Sequence, residues 1–454
     1  MNDIMDISLS LFNLKNEDIE SAEVRQAPDE MQVFIKLERK PHLCPVCGSS
    51  VKKVKGYTKK RITHSILTDR KCVIIYSARR FECPVCAKTF YETNPFVFDQ
   101  QKISMATTLN ILNDLKLPTA TFTQVGDRHH VSPTTVSHIF DRHVKIPRRK
   151  LPEHLCIDEV YAFKSTYSDY VCVLVDYDTA RVLDVLNSRR KYDLINYFTA
   201  IPKKEREEVK IFSSDMWETY RVVGKIVFPN AKHTVDKFHV LQELTRNLDT
   251  VRIRVMNRCR PPSNIDKKSM TVAQLNEYNQ KDTNYYLLKK FNWVLFKEDS
   301  KIHDANQEKK YNKKLGRYLN LNDIYRMIME IDDELNEAVN LKDAIYYFYR
   351  NSTYKTAQKD LKNLLKELDA SEIDEMKKFA KTMRNWKEEI INSFIEHDGK
   401  KVNNGIIENR NKSIKLIKHS SNGYRNWERF RNRVLYSLND DVYPYLPPTE
   451  TKNE

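Results

Sequence analysis

The pattern of hydrophobic and polar positions changes several times along the chain and predicts a different structure in each part. Short apolar runs such as VIIYSARRF predict β-strands within residues 36–98. Residues 102–145 have the period of helices, with a break at HHVSP. From residue 151 to about 240, strand-like runs such as YVCVLVDYD alternate with a helical stretch at 191–200, which is typical of an α/β core. Residues 241 to about 400 are again helical in period.

These changes divide the chain into seven segments, which together predict a multidomain α+β protein. We predict an N-terminal segment (1–35) with a helix and a leading strand, a β module (36–98), a helical region (99–150), the first part of an α/β core (151–240), a long helical segment (241–400), a further helical region (401–440) and a frayed tail (441–454). Only 8 glycines occur in 454 residues, which agrees with long helices and few tight turns.

Composition excludes several classes of protein. No apolar run approaches the roughly 20 residues that a membrane-spanning helix needs. The first residues, MNDIMDISLS, are acidic and have no small-residue cleavage site, so we do not expect a signal peptide. A hydrophobic content of 40% argues against disorder. We therefore expect a folded cytoplasmic protein.

Basic residues are concentrated near the front of the chain. The sequence has 77 Lys and Arg against 62 Asp and Glu, a formal net charge of +15. Residues 41–150 alone hold 19 basic and 7 acidic side chains, a net charge of +12. A charge this concentrated predicts a polyanionic partner, most simply nucleic acid.

Two CPVC motifs in the basic β module predict a zinc ribbon. Four thiolates suit tetrahedral zinc, and a CxxC turn lets both of its sulfur atoms face one ion. The predicted ligands are Cys44, Cys47, Cys83 and Cys86. Two incidental pairs or a redox motif are the alternatives, but a redox CxxC normally stands alone beside a βαβ unit. The ribbon could serve only as a structural staple, although the basic runs around it favour contact with DNA, with Arg79 and Arg80 as candidates.

The stretch TFTQVGDRHHVSPTTVSHIFDRHV predicts a helix, a short turn and a second helix. Ser132 is a good N-cap and Pro133 suits the first helical position. Val136, Ile139 and Phe140 would then face inward. The outward residues make a candidate helix-turn-helix recognition surface for DNA: Thr134, Thr135, Ser137, His138 and Arg142. A helical hairpin without a DNA-binding role remains the alternative.

Three carboxylates lie at the ends of apolar elements and could bind two magnesium ions. Asp158 follows LCI, Asp215 follows VKIFSS, and Glu408 lies on a late amphipathic helix. Ribonuclease-H-like folds hold a metal pair in this way, because hard cations need oxygen ligands and a bridging carboxylate sets them roughly 3.5–4 Å apart. Each acid alone is weak evidence, since strand-end aspartates are common turn residues. Other acids within reach are Glu159, Asp176, Asp178 and Asp236.

Four further residues have two interpretations each. His239 could face the metal site or the scissile phosphate, or it could be a packed histidine. Asp236 could bind metal or cap the helix that follows it. Lys412 and Lys415 share the late helix with Glu408 and could hold phosphates, or they could form a solvated basic face.

Long stretches of the chain resemble the ISL3 (ISL-three) family of insertion-sequence transposases. They are CIDEVYAFKSTYSDYVCVLVDYDTARVLDVLNSRR, VKIFSSDMWETYRVVGKIVFPNAKHTVDKFHVLQEL and NNGIIENRNKSIKLIKHSSNGYRNWERFRNRVL, preceded in the same order by the ribbon and the helix-turn-helix. The resemblance implies that Asp158, Asp215 and Glu408 are the catalytic acids. It also implies a ribonuclease-H-like core interrupted by a long all-helical insertion, which accounts for the separation of 193 positions between Asp215 and Glu408. A small departure is Ala87, which stands where the first motif has Gly.

The function that the resemblance implies is that of a DDE-type DNA transposase. Such an enzyme would bind double-stranded DNA at the element's terminal inverted repeats and at the target. It would cleave a strand with two Mg²⁺ or Mn²⁺ ions and join the 3′-hydroxyl to another phosphodiester. Structural Zn²⁺, a homodimer in the synaptic complex and a bacterial, nucleoid-associated location on DNA are further expectations. The main alternative is a zinc-dependent DNA-binding regulator without catalysis, and an RNA-processing nuclease would share the same chemistry.

Overall fold

The structure is a computed structural model, and it describes residues 16–65, 70–98, 101–164, 169–263, 266–297, 302–303, 307–397, 400–402 and 405–446. Residues 1–15 of the predicted N-terminal segment and residues 447–454 of the predicted tail lie outside the described residues. The described residues form a mixed α+β fold, as predicted.

The strands of the described residues form two five-stranded sheets and three short hairpins. They are β1 (Ile19–Gln26), β2 (Glu30–Leu37), β3 (His42–Leu43), β4 (Ser50–Val51), β5 (Val54–Thr63), β6 (Lys71–Glu82), β7 (Thr89–Tyr91), β8 (His154–Tyr161), β9 (Tyr170–Asp176), β10 (Val182–Leu186), β11 (Ile211–Ser214), β12 (Lys232–Val235), β13 (Lys310–Asn312), β14 (Arg317–Leu319), β15 (Glu396–His397) and β16 (Lys400–Lys401).

The α-helices of the same residues are numbered in chain order. They are α1 (Met105–Asp114), α2 (Phe122–His129), α3 (Pro133–His143), α4 (Lys191–Thr199), α5 (Lys203–Glu207), α6 (Glu218–Val227), α7 (Lys237–Arg258), α8 (Val272–Lys290), α9 (Leu321–Met329), α10 (Asp333–Asn351), α11 (Ala357–Ala370), α12 (Asp374–Asn385), α13 (Lys387–Asn392), α14 (Gly405–Ser420) and α15 (Trp427–Leu438). Across the described ranges, no helix combines the length and the apolar character that a membrane crossing requires.

The first sheet carries the cysteine motifs and includes more of the chain than a ribbon alone. Its strand order is β1-β2-β6-β5, with β7 also paired to β6. Strand β2 runs parallel to β6, from Glu30 opposite Lys71 to Ile35 opposite Tyr76. Val33 and Ile35 point to the same face and are buried against β6. The predicted boundary between residues 35 and 36 therefore falls inside β2, and the N-terminal strands belong to this sheet.

Helices α1, α2 and α3 pack together after the first sheet. Ser132 caps α3 by accepting a hydrogen bond from the Thr135 amide at 3.1 Å. Val136, Ile139 and Phe140 are buried, as the sequence predicted. The described structure therefore has the helix–turn–helix shape expected for this part of the chain.

The second sheet has the strand order β10-β9-β8-β11-β12. Strands β8, β9 and β10 pair antiparallel, whereas β11 runs parallel to both β8 and β12. Successive residues point to opposite faces. Cys156 and Val173 therefore pack on the side of α14 and α15, while Ile157 and Leu174 pack on the side of α4 and α6. Helices cover both faces, which gives a three-layer α/β/α core.

A helical unit with its own hydrophobic core lies between the second sheet and α14. Its first helix, α7, begins at Lys237, which is before the predicted start at residue 241. The prediction of an all-helical insertion is wrong in one respect, because β13 and β14 form an antiparallel hairpin inside this unit. Gly316, at φ +65°, turns the chain there, and Tyr311 and Tyr318 have side chains that favour paired strands.

The start of the predicted tail is docked on helices α1–α3. Val442 is 7% exposed and shares their core with Tyr436 of α15. The Tyr445 amide donates to the His143 carbonyl at 2.6 Å. The predicted start of the tail at residue 441 therefore falls in a segment that is attached to α1–α3 through the Val442 side chain and the Tyr445 amide.

Candidate active site and nucleic-acid interface

Three aspartates form a row across neighbouring parallel strands. Strand β11 is aligned with β8 on one side and with β12 on the other. Continuing that register past the end of β11 places Asp215 level with Asp158 of β8 and with Asp236 after β12. The carboxyl ends of parallel strands are the usual place for a ligand site in an open sheet. Asp215 and Asp236 directly follow their strands, whereas Asp158, which was predicted at a strand end, lies inside β8. The register still brings the three residues to one level of the sheet.

Helix α14 brings Glu408 toward this row. Asn411 of α14 is 7% exposed, and its Nδ2 donates to Asp158 Oδ2 at 2.6 Å. Glu408 lies three residues before Asn411, so the two side chains share one side of the helix. The negative charge of Glu408 also acts on Asp236. A direct hydrogen bond between α14 and β8 thus links the helix that carries Glu408 to the strand that carries Asp158.

The gathered carboxylates perturb one another. Burial raises the pKa of Asp158 to about 8, and the charge of Asp215 contributes to the increase. The Glu159 amide donates to Asp158 Oδ1 at 2.7 Å, and this hydrogen bond opposes the increase because it stabilises the ionised carboxylate. Burial also raises the pKa of Asp236, with further contributions from Asp215 and Glu408. A cation placed among these groups would stabilise their ionised forms.

His239 and Asp236 lie at the same edge of the sheet. His239 Nε2 is 2.7 Å from Asp215 Oδ1. Burial acts to lower the pKa of His239, but the hydrogen bond and the charge of Asp215 raise it above its usual value. The Asp236 carboxylate accepts a hydrogen bond from the Phe238 amide at 3.1 Å and so caps α7. The sequence allowed Asp236 either to bind metal or to cap this helix, and these contacts show the cap.

The three predicted catalytic acids do not all converge on one point. A site for one ion needs at least three His, Cys, Asp or Glu ligand atoms close together. In the described part of the chain, the four cysteines of the first sheet are the one such group with all ligand atoms within 4.8 Å of one another. Asp158, Asp215 and Glu408 therefore share an electrostatic environment without forming a compact site for one ion. A pair of cations with a bridging carboxylate does not require such a site, because neither ion needs all three ligands.

The four predicted zinc ligands come together at the end of the first sheet. The Sγ atoms of Cys44 and Cys86 are 3.6 Å apart, and those of Cys47 and Cys83 are 3.5 Å apart. All four sulfur atoms lie within 4.8 Å of one another. With zinc–sulfur bonds of about 2.3 Å, the sulfurs of a tetrahedral site would be about 3.8 Å apart. The cluster is therefore compatible with one zinc ion.

The two cysteine turns have the same backbone form. Gly48 N donates to Cys44 O at 2.9 Å, and Ala87 N donates to Cys83 O at 3.0 Å. Gly48 and Ala87 have φ angles of +70° and +55°, a conformation that glycine adopts more easily than alanine. The Ser49 hydroxyl lies 3.0 Å from Cys83 Sγ, and hydrogen bonds from it and from the Cys86 amide lower the pKa of that thiol to about 6. A thiolate at neutral pH is the metal-binding form.

Of the two candidate arginines in β6, Arg80 is exposed and Arg79 is buried. Arg79 is 1% exposed, and its guanidinium pairs with Glu92 at 3.2 Å and with Glu20 at 2.7 Å. Neighbouring residues of a strand face opposite sides of the sheet. The structure therefore contradicts a DNA contact by Arg79, whose charge is neutralised inside the first sheet.

Helix α3 presents a polar stripe on its outer side. Thr134, His138 and Arg142 are exposed, and their spacing of four places them in one row. Thr135 is half-buried beside them. Ser137 is 8% exposed, and its hydroxyl donates to the Thr134 carbonyl at 2.9 Å. The structure therefore contradicts Ser137 as a DNA contact, because that side chain faces the helix bundle.

Helix α14 carries an exposed basic side beside Glu408. Lys412 and Lys415 are exposed. Arg410 is half-buried, and its Nε donates to the Ala180 carbonyl at 2.6 Å, which ties it to the turn between β9 and β10. Lys412 and Lys415 are therefore accessible to phosphate. They could hold phosphates or form a solvated basic face, as the sequence allowed.

Comparison with known proteins gives the family. A family profile for ISL3 transposases, described as transposase, matches residues 155–434, which is more than half of the chain. The chain belongs to the ISL3 family of transposases. It is also similar to the transposase for insertion sequence element IS1001 of Bordetella parapertussis, with 21% identity over 404 residues that cover 88% of this chain and 89% of that protein.

Membership of the ISL3 transposases confirms the resemblance found in the sequence. It makes the chain a DNA-binding enzyme that cleaves and transfers DNA strands, and it implies the use of divalent metal ions. The matched region begins in β8 and ends in α15, so it includes the row of acids, the helical unit and α14.

One residue of the candidate site in this transposase, Asn411, was missed by sequence reasoning. An amide side chain has no metal-binding motif, and its partner, Asp158, lies 253 residues away in the sequence. The signal that could have found it is its position three residues after Glu408, where it shares a helix side with a predicted ligand.

Proposed function

We propose that this ISL3 transposase cleaves and joins DNA with a ribonuclease-H-like core in which Asp158, Asp215 and Glu408 are the catalytic acids. The core would consist of residues 151–240 and 401–440, with residues 241–400 inserted between them. Its support is a mixed five-stranded sheet with β8 at the centre and helices on both faces. The single observation that carries the proposal is the placing of Asp158 and Asp215 at one level of adjacent strands, with α14 hydrogen-bonded to Asp158.

The donor set fits a pair of hard divalent cations. Asp158, Asp215 and Glu408 offer only carboxylate oxygen ligands, which Mg²⁺ and Mn²⁺ prefer. The raised pKa of Asp158 comes first from burial and then from repulsion by Asp215, and a bound cation would relieve both. When bound, these ions would activate the attacking hydroxyl and stabilise the leaving oxygen of the phosphodiester.

Two neighbours would orient the acids. Asn411 Nδ2 and the Glu159 amide each donate to one oxygen of Asp158, so both oxygens of this carboxylate are held by hydrogen bonds. His239 Nε2 holds Asp215 Oδ1 in the same manner at 2.7 Å. Preorganised ligands contribute to catalysis because they need no rearrangement as charge develops.

The front of the chain would select the DNA. We propose that α3 contacts the element's terminal inverted repeats and that basic residues elsewhere contact phosphates, with the net charge of +12 in residues 41–150 as support. The proposed contacts are Thr134, Thr135, His138, Arg142, Arg80, Lys412 and Lys415. Bringing two element ends together would require two copies of the chain, so a homodimer is the expected synaptic form.

A structural zinc ion would be held by the four cysteines of the first sheet, Cys44, Cys47, Cys83 and Cys86. Inductively coupled plasma mass spectrometry of the purified protein can test for this ion. We expect one zinc per chain in the wild type and its loss in Cys47→Ser. Cys259→Ser, at the end of α7 and outside the cluster, is the matched control and should keep the metal. Zinc-free wild type, or equal zinc in both variants, would show that the cluster does not bind zinc.

Strand cleavage of DNA that carries the element ends tests the catalytic proposal. With Mg²⁺ present, Asp215→Asn and Glu408→Gln should lower the cleavage rate at least about 100-fold, because each removes a charge that holds a cation. Both should keep wild-type affinity for the same DNA. The controls are Asp440→Asn and Glu153→Gln, which change exposed acids away from the row.

Cleavage by Asp215→Asn or Glu408→Gln at the wild-type rate would show that these acids do not hold the metal ions. DNA binding without cleavage by the wild-type chain, at cognate ends and in Mg²⁺, would favour the alternative of a regulator.

A further inference from the structure

The β13–β14 hairpin of the helical unit presents two tyrosines to solvent. Tyr311 and Tyr318 are directly opposite each other across the hairpin, with ring centroids 5.2 Å apart. They are 54% and 66% exposed. Leu319, next to Tyr318, points the other way and is 7% exposed in the core of the unit. The hairpin is thus anchored on one face, and its aromatic face is uncovered.

Basic side chains surround the two rings. The hairpin and its flanks carry Lys309, Lys310, Lys313, Lys314 and Arg317, and no acidic residue occurs from 309 to 322. Two of these cations have carboxylate partners: Lys309 lies 3.4 Å from Asp323, and Lys314 lies 2.9 Å from Asp282. Within the described ranges, Lys310 and Lys313 have no acidic partner and are exposed.

A cleft of about 360 Å³ opens beside Tyr318, between the hairpin and α9. Its lining combines cations and apolar groups, with Lys309, Arg317, Arg326 and Met327 among them, and it also includes Asp323 and Glu330. Arg317 Nη2 is 2.9 Å from the Met327 sulfur, and among the described residues no carboxylate pairs with its guanidinium. Tyr318 therefore lines a depression that has three cationic and two acidic side chains.

We propose that this face of the hairpin binds a single-stranded stretch of DNA, with bases stacked on Tyr311 and Tyr318 and phosphates held by Lys310 and Lys313. Aromatic rings among cations suit single strands, because an unpaired base exposes a face for stacking while the backbone follows the positive charge. In duplex DNA those faces are covered by neighbouring bases. The inference depends on the proposed function only in taking DNA as the ligand, and it does not depend on the catalytic acids.

Fluorescence anisotropy with the full chain tests this inference, without added divalent ions. The probes are a blunt duplex and the same duplex with a single-stranded thymidine extension. Wild type should bind the extended duplex more tightly. The double variant Tyr311→Thr/Tyr318→Thr should lose about tenfold or more of its affinity for the extended duplex, since stacking on each ring is strong, and should bind the blunt duplex as wild type does.

Three further variants distinguish the parts of the proposal. Tyr311→Phe/Tyr318→Phe keeps the rings and should bind both probes as wild type does. Lys310→Gln/Lys313→Gln should weaken binding of the extended duplex, lower its salt dependence by about one phosphate contact per lysine, and leave binding of the blunt duplex unchanged. Tyr347→Thr removes a tyrosine that is 70% exposed on α10 and should change nothing.

The inference would be overturned by wild-type affinity of the Thr double variant for the extended duplex, or by equal losses on both probes. Equal affinity of the wild type for the two probes would overturn it as well. This inference is tested by binding without divalent ions and the catalytic proposal by cleavage in Mg²⁺, so a failure of either one gives a different result. Threonine retains the β-propensity of the strands, and unchanged melting of the variant shows that the hairpin still folds.

Discussion

Replacing Arg433 by Met should loosen the attachment of helices α1–α3 to the second sheet. Arg433 belongs to α15, which packs on that sheet, and it is 0% exposed. Its guanidinium donates to the carbonyl of Leu115, and to those of Leu117 at 2.8 Å and Ala120 at 2.9 Å. These carbonyls lie at the C-terminal end of α1 and just after it, where a cation is favoured. One side chain therefore joins the helix-turn-helix to the sheet that carries the acids.

The expected loss of stability follows from the three carbonyl oxygens that would lose their hydrogen bonds to Arg433. Methionine would fill much of the volume but would donate no hydrogen bond. A hydrogen bond to a charged group contributes about 1.5–3 kcal/mol when buried, and water can partly replace the two bonds that are only partly buried. We expect a local loss of about 3–5 kcal/mol, a large share of the stability of one domain. Arg433→Lys keeps the charge and one or two donors, so it should recover about half of that loss.

Hydrogen–deuterium exchange of residues 105–143 measures this effect directly, because it reports local opening in a protein with several cores. Arg433→Met should speed exchange in α1–α3 by about 100-fold or more, with a smaller change in the helical unit. Arg425→Met alters an exposed arginine just before α15 and should leave exchange within about twofold of wild type. Unchanged exchange in Arg433→Met would refute the reasoning, since it would mean that the three carbonyls do not depend on this guanidinium.

Three further predictions concern the turns and the buried histidines. A Cβ on Gly126 would lie 2.7 Å from the Val131 carbonyl oxygen, so Gly126→Ala should destabilise α1–α3 by about 1–3 kcal/mol, measured by hydrogen exchange, while Gly56→Ala, with nothing within 4 Å, should have little effect. Ala87→Gly should relieve a left-handed backbone and stabilise the second cysteine turn by about 1 kcal/mol, measured by exchange of the amides from 83 to 88. Burial lowers the pKa of His64 to about 4 and that of His233 to about 3, whereas unfolded histidine titrates near 6.5. The unfolded state therefore binds protons first, and urea unfolding should show stability falling by roughly 1.4 kcal/mol per histidine for each pH unit below about 6.5.

Features that depend on local chemistry were predictable from the sequence. The two CPVC motifs indicated the four cysteines that the structure brings within 4.8 Å. The apolar period of α3 indicated its inward residues, and Ser132 indicated its start. Asp215 was expected at a strand end and directly follows β11. Asp158 was also expected at a strand end, but it lies inside β8, where the register with β11 places it level with Asp215. Their catalytic role stays a prediction.

Features that depend on distant partners were not predictable from local patterns. Arg79 looked like a surface cation, but it is buried and its guanidinium pairs with Glu20 and Glu92. Asn411 meets Asp158 across 253 positions of sequence that include the whole helical unit. The β13–β14 hairpin has three residues in each strand, which is too short for a periodic signal against its helical surroundings.

The most direct test of the central claim is anomalous diffraction from crystals of this transposase with element-end DNA and Mn²⁺. We predict two manganese peaks roughly 3.5–4 Å apart, with oxygen ligands from Asp158, Asp215 and Glu408. Manganese bound elsewhere, with these three carboxylates unligated beside the scissile phosphate, would contradict the assignment of the catalytic acids.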